Sequence, residues 1–90
     1  MALRVVIADD HHLTLDGVRR TLEAVEDIEI VGTASSGSQV LPLVKRTSPD
    51  LVMLDIRMPG MDGITCLELI RNNHPSVKVV MLSAYSDRDQ

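Results

Sequence analysis

Residues 50–63 read Asp50-Leu51-Val52-Met53-Leu54-Asp55-Ile56-Arg57-Met58-Pro59-Gly60-Met61-Asp62-Gly63. The apolar run from Leu51 to Leu54 has the length of a short strand buried on both faces. It stops on an acid, Asp55. A Pro-Gly turn follows. Asp62 then stands where a helix N-cap is expected, because Ile64, Leu67 and Ile70 recur behind it at helical spacing. Asn73 and Pro75 close that helix. A strand that delivers a carboxylate into a loop and then a helix is the start of a parallel crossover unit.

The same alternation extends outward on both sides. Leu3 to Ala8 is an apolar first strand. From Thr14 to about Ala24, Leu15, Val18 and Leu22, with Val25 beyond, mark an amphipathic helix whose Arg19, Arg20 and Glu23 face water. Ile28 to Thr33 reads as a second strand, and Ser35-Ser36-Gly37-Ser38 as a turn and helix start. Val40, Leu43 and Val44 suggest a second helix ending near Thr47, before Pro49. Pro42 predicts that this helix starts late or kinks, since an interior proline costs about 3 kcal/mol. Val77 to Leu82 is a fourth strand.

The order β-α-β-α-β-α-β predicts a doubly wound parallel α/β sheet of the flavodoxin-like kind. The second strand is interrupted by Glu29 and Gly32 and suits an edge. Right-handed crossovers then give the strand order 2-1-3-4. That order leaves the fourth strand at the other edge, although it reads as interior, with Lys78 its one charge. An uncovered edge of this kind is a template for pairing. The expectation is a chain lacking a fifth strand and its flanking helices, prone to homodimerisation or swapped self-association.

Composition narrows the function classes. Ninety residues make one domain at most. A hydrophobic fraction of 44% and a charged fraction of 24% are those of a globular chain. No apolar run approaches the roughly 18 residues of a membrane span, and no signal-peptide pattern opens the chain. The single cysteine, Cys66, makes an internal disulfide impossible, so a cytoplasmic setting is expected. A net charge of −4 disfavours nucleic-acid binding by this chain itself. With no Trp or Phe, and Tyr85 the one aromatic residue, the core must be aliphatic.

Open α/β sheets bind ligands beyond the carboxyl ends of their strands, where the strand order reverses. Here that point lies between strands one and three. The first strand leads into Asp9-Asp10 and the third ends in Asp55, so the topology gathers three carboxylates in one crevice. Crowded carboxylates repel one another unless a cation neutralises them. Hard oxygen ligands favour Mg²⁺, which takes one or two carboxylates, waters and a phosphate oxygen. One carboxylate could then attack phosphorus and become an aspartyl phosphate. After the fourth strand, the Ser83 hydroxyl and the Ala84 backbone N–H are candidate donors to a phosphoryl group.

With these residues in place, the chain closely resembles the receiver domain of bacterial two-component response regulators. The matching pieces are Val5 to Asp10, Asp50 to Gly63, and Val79 to Ala84. The resemblance covers residues 1–90, read as a partial receiver domain. It implies that Asp55 is the phosphoacceptor, served by the phosphohistidine of a sensor histidine kinase. It implies that Mg²⁺ is held directly by Asp10, Asp55 and the backbone carbonyl of Arg57, and through water by Asp9. Ser83 becomes the switch hydroxyl. Residues 11–23 are similar to the subfamily of transcription regulators with a LuxR-type helix-turn-helix, so DNA is an expected partner only through a C-terminal domain. The family's fifth strand carries a lysine that pairs with the phosphoryl group, and no counterpart is found here; Lys78 starts the fourth strand, far from the crevice.

Other readings weigh against this one. The alternative is a phosphorylation-independent interaction or dimerisation module with a receiver fold, disfavoured by the complete acid triad. An aspartate-based phosphatase would need an acid two positions after the nucleophile, where Arg57 stands; no enzyme beyond self-catalysed phosphotransfer and dephosphorylation is expected. His11 and His12 read as exposed loop residues, Cys66 as an inert core thiol, and Met53 and Met81 as core filler.

Overall fold

The computed structural model describes residues 2–9, 12–55, 60 and 63–82. Its elements run β1 (Leu3–Ala8), α1 (His12–Glu23), β2 (Ile28–Ala34), α2 (Gly37–Thr47), β3 (Leu51–Asp55), α3 (Gly63–Asn73) and β4 (Lys78–Leu82). Among the described residues the four strands form one sheet in the order β2-β1-β3-β4, and every pairing is parallel. The doubly wound α/β sheet and the order 2-1-3-4 expected from the apolar runs are therefore present, with no fifth strand among the described residues.

Strand alternation divides the apolar residues between two layers. Val6, Ala8, Val52 and Leu54 pack under α2 and α3 against Val40, Leu43, Val44, Cys66 and Ile70. Val5 and Ile7 face the other way, with Val18 and Leu22 of α1 and the half-buried Ile28, Ile30, Leu51 and Met53. Cys66 is buried and forms no disulfide, as its position near the apolar face of the third helix suggests. Met81 packs beside the first layer and Met53 beside the second.

Several local expectations need correction. α1 begins at His12, so that histidine is helical rather than in a loop. The helix ends at Glu23, and Val25 lies beyond it, 45% exposed instead of continuing the buried stripe. The buried stripe of α3 is Gly63, Cys66 and Ile70, while Ile64 is 52% exposed. β4 reads as interior yet leaves Val80 45% exposed, because the strand lies at the sheet edge. β2 carries a register shift opposite Val5/Val6, where Ile30 and then Gly32 are the successive partners; the extra residue, Val31, is a bulge that no periodicity reveals. Gly32 gives α2 room: a Cβ there would lie 2.7 Å from Leu43 Cδ1.

α2 does not start late. It runs from Gly37 with Pro42 inside it. Its connection to β2 is tied locally, since the Ser35 N–H donates to Gln39 Oε1 at 2.9 Å and the Gln39 N–H donates to the Ser36 carbonyl at 3.1 Å. The helix ends at Ser48, which has φ 48° and donates its N–H to the Val44 carbonyl. The buried faces of Val40, Leu43 and Val44 outweigh the proline's local cost.

The end of the sheet remote from the acids is cross-linked by Asp50. Its Oδ2 accepts from the Arg4 N–H at 2.9 Å, its own N–H donates to the Arg4 carbonyl, and its carbonyl accepts from the Lys78 N–H. The Arg4 guanidinium donates to the Thr47 carbonyl at 2.6 Å, placing a cation at the negative end of α2. Arg4→Ala is expected to lower stability by about 1.5–3 kcal/mol, the range for a hydrogen bond to a charged group. The check is a lower urea midpoint at an unchanged slope.

Candidate functional site

The site forms where β1 and β3 run out side by side. Ala8 and Leu54 are register partners, so Asp9 and Asp55 occupy the next positions along two adjacent strands. Strand neighbours lie about 4.8 Å apart. Asp55 continues the phase of Leu51 and Met53, and Asp9 that of Val5 and Ile7, so alternation assigns both to the same face of the sheet. The β1–β2 ladder continues one step beyond Ala8: the Asp9 N–H donates to the Ala34 carbonyl at 3.0 Å. The backbone of Asp9 is thereby held on one side by β2 while Asp55 remains in β3.

Burial sets these two acids apart. Asp9 is 4% and Asp55 5% exposed, and among the described residues they are the buried charged side chains. Two buried carboxylates at adjacent strand ends carry a desolvation cost that a cation would offset. The donor set is hard oxygen, the ligand type that Mg²⁺ takes. No group of three or more His, Cys, Asp or Glu able to hold a metal occurs among the described residues. The third acid of the expected triad, Asp10, lies outside them. So do Arg57, Ser83 and Ala84, together with Asp62 and His11. The described geometry thus brings together Asp9 and Asp55 of the residues singled out in the sequence.

One neighbour of the site had no sequence signal. Gly60 has φ 89°, and a Cβ built on it would lie 3.3 Å from both the backbone nitrogen and the Oγ of Ser38, in the first turn of α2. The Pro-Gly pair marks a turn, but nothing in the order of residues says that this turn packs against α2.

Comparison with known proteins places this geometry. Residues 5–90 match the response regulator receiver domain family. The transcriptional regulatory protein YhcZ of Bacillus subtilis (strain 168) is 39% identical over 87 residues, covering 97% of this chain and 41% of the relative. The transcriptional regulatory protein MctR of Rhizobium johnstonii is 40% identical, again with 97% and 41% covered. The chain therefore spans about two fifths of the length of these relatives. Among solved structures, the signal receiver domain of NarL from Mycobacterium tuberculosis superposes with a TM-score of 0.89 at 38% identity, over 97% of this chain and 70% of that one. The isolated receiver domain of RcsB from Salmonella enterica serovar Typhimurium, solved with the phosphomimetic BeF₃⁻, gives 0.89 at 29% identity, covering 97% of this chain and 65% of that one. A family match over nearly the whole chain, joined to a 2-1-3-4 sheet with buried acids at its switch point, makes this chain a member of the response regulator receiver domain family.

Proposed function

We propose that residues 1–90 form part of a receiver domain that accepts a phosphoryl group on Asp55 and relays the change to an output. The observation that carries this reading is the burial of Asp9 and Asp55 at the ends of adjacent strands, at the point where the strand order reverses. An Asp55 carboxylate oxygen attacks the phosphorus of a kinase phosphohistidine. The P–O bond forms as the P–N bond breaks, and the imidazole nitrogen leaves with the electron pair and takes up a proton. Asp55 keeps the group rather than turning over a substrate, so the chain is an acceptor and not an enzyme in the ordinary sense.

Asp10, Asp55 and the Arg57 carbonyl would hold Mg²⁺ directly, and Asp9 through water. When bound, the ion supplies charge neutralisation for the phosphoryl oxygens. Ser83 and Ala84 would donate hydrogen bonds to the transferred group. The added dianion then biases a two-state equilibrium of the fold.

The expected setting of the chain is the cytoplasm, and its expected partners are a sensor histidine kinase and a second copy of the chain, the latter along β4, where Val80 is exposed. The relatives are transcriptional regulators, which supports a DNA-directed output through another domain. No helix among the described residues is long and apolar enough to cross a membrane.

The test is a ¹⁵N–¹H correlation spectrum recorded alone, with millimolar Mg²⁺, and with Mg²⁺ and beryllofluoride. Shifts centred on Asp9, Asp10, Asp55 and Arg57 with Mg²⁺, spreading to Ser83 and Ala84 with beryllofluoride, are expected. A dispersed spectrum that ignores both additions would reject the phosphoacceptor reading and leave the interaction-module alternative.

A further inference from the structure

We propose that the first turn of α2 is a seat that positions Gly60, five positions after Asp55, with Gly60 and Ser38 as the positioning residues. The inference rests on the phosphoacceptor reading for its function, and on the following contacts for its geometry.

The first turn of α2 is weakly held by its own helix. Ser36 occupies the N-cap but makes no side-chain cap hydrogen bond; its Oγ lies 3.2 Å from Ser38 Oγ instead. Pro42 has no N–H to give to the Ser38 carbonyl four residues earlier, and its ring crowds that carbonyl. Besides the Gln39 contacts to Ser35 and Ser36, the turn is held by what packs on it. From α3, the buried Cys66 Sγ donates to the Gly37 carbonyl at 3.5 Å. From the segment after β3, the Gly60 backbone comes so close that a Cβ would be 3.3 Å from Ser38 N, 3.3 Å from Ser38 Oγ and 3.6 Å from Gly37 N. Gly60 also sits at φ 89°, a conformation that side chains disfavour.

The seat is connected to both acids. Gly60 follows Asp55 by five positions. On the other side, Ala34 accepts from the Asp9 N–H and leads within two residues to the Ser36 cap. α2 is thereby a strut between the chain leaving Asp9's neighbour β2 and the chain leaving Asp55. A side chain at position 60 would strain the backbone at φ 89° and press on Ser38 N and Oγ, so Gly60 and the first turn of α2 must give by a few tenths of an ångström. Gly60 follows Asp55 by five positions, so the shift is expected to reach the proposed site at Asp55.

The experiment compares wild type, Gly60→Ala and the double variant Gly60→Ala/Ser38→Ala. In metal-free ¹⁵N–¹H spectra, Gly60→Ala should move the amide signals of Gly37, Ser38 and Asp55. Its affinity for Mg²⁺ alone should fall by about 10-fold, the scale on which supports behind metal ligands act. Removing Ser38 Oγ in the double variant should restore part of that loss, since the two effects are coupled and not additive. If Gly60→Ala does not fold, Ser38→Val thickens the seat from the α2 side, and should move the Gly60 and Asp55 amides and weaken Mg²⁺ in the same sense. Metal-free shifts confined to within two residues of the substitution would overturn the proposal. So would Mg²⁺ affinity within about twofold of wild type alongside a lowered melting temperature. If wild type itself ignores Mg²⁺, the phosphoacceptor reading fails, and the metal-free shifts at Asp55 still decide whether the seat exists.

Discussion

Asp55→Asn is expected to abolish uptake of a phosphoryl group from acetyl phosphate in the presence of Mg²⁺, a complete loss and not a graded one. The substitution keeps the volume of a side chain that is 5% exposed at the end of β3, so the fold should persist. It replaces a carboxylate oxygen, the only nucleophile the reaction has at that position, with a neutral amide that cannot form the acyl phosphate. It also removes one of the two buried negative charges that would favour the cation. Intact-protein mass spectrometry is the measurement: wild type should gain the mass of one phosphoryl group and the variant none. Asp9→Asn serves as the comparison. It leaves the Asp55 nucleophile in place, so its modification should slow without disappearing. A phosphoryl group on Asp55→Asn would mean that another residue is the acceptor.

The second large effect is on stability. Leu54→Ala should cost about 2–5 kcal/mol, the range for truncating a fully buried leucine. Leu54 has no exposed surface and lies on β3, in the interior of the sheet, in the layer beneath α2 and α3. The α1 layer cannot compensate, because it lies across the sheet. On a domain of this size each kcal/mol shifts the melting temperature by about 4–8 °C, so a fall of tens of degrees or outright unfolding is expected in a thermal melt. Val80→Ala, on the edge strand and 45% exposed, should change stability by no more than about 0.5 kcal/mol, as surface substitutions do. Equal losses for the two variants would contradict the layer assignment.

How much of this was legible before the fold is seen differs from element to element. β1 and β3 follow from apolar runs, because a strand buried on both faces has no polar alternation to lose. Their acids follow from position, since the residue after such a run must emerge where the sheet ends. Membership of a parallel sheet, its order and the meeting of Asp9 with Asp55 then follow from the handedness of crossovers. α1 and α3 were legible as helices, but the side chains they bury were not fully so. Val25 and Ile64 have the right spacing and end up exposed, because spacing gives a phase and not the position of the neighbouring layer.

α2 marks the limit of local reasoning most clearly. Pro42 argues against an early start, and the helix begins at Gly37 all the same. Burial of Val40, Leu43 and Val44 against the sheet overrides a local preference worth about 3 kcal/mol. The bulge at Val31 is of the same kind. It belongs to the pairing of β1 with β2, and neither strand alone contains it.

The sequence by itself determined the alternation of strands and helices, the parallel order 2-1-3-4, and the convergence of Asp9 and Asp55, because these depend on runs, periods and chirality that are local or universal. Only the tertiary structure decided that α2 passes through Pro42, that β2 bulges against β1, that Arg4 reaches the end of α2, and that Gly60 rests on Ser38. Each of those joins residues 22 to 43 positions apart or a helix to a sheet. Their energies come from burial and close approach, which exist only once the layers have met.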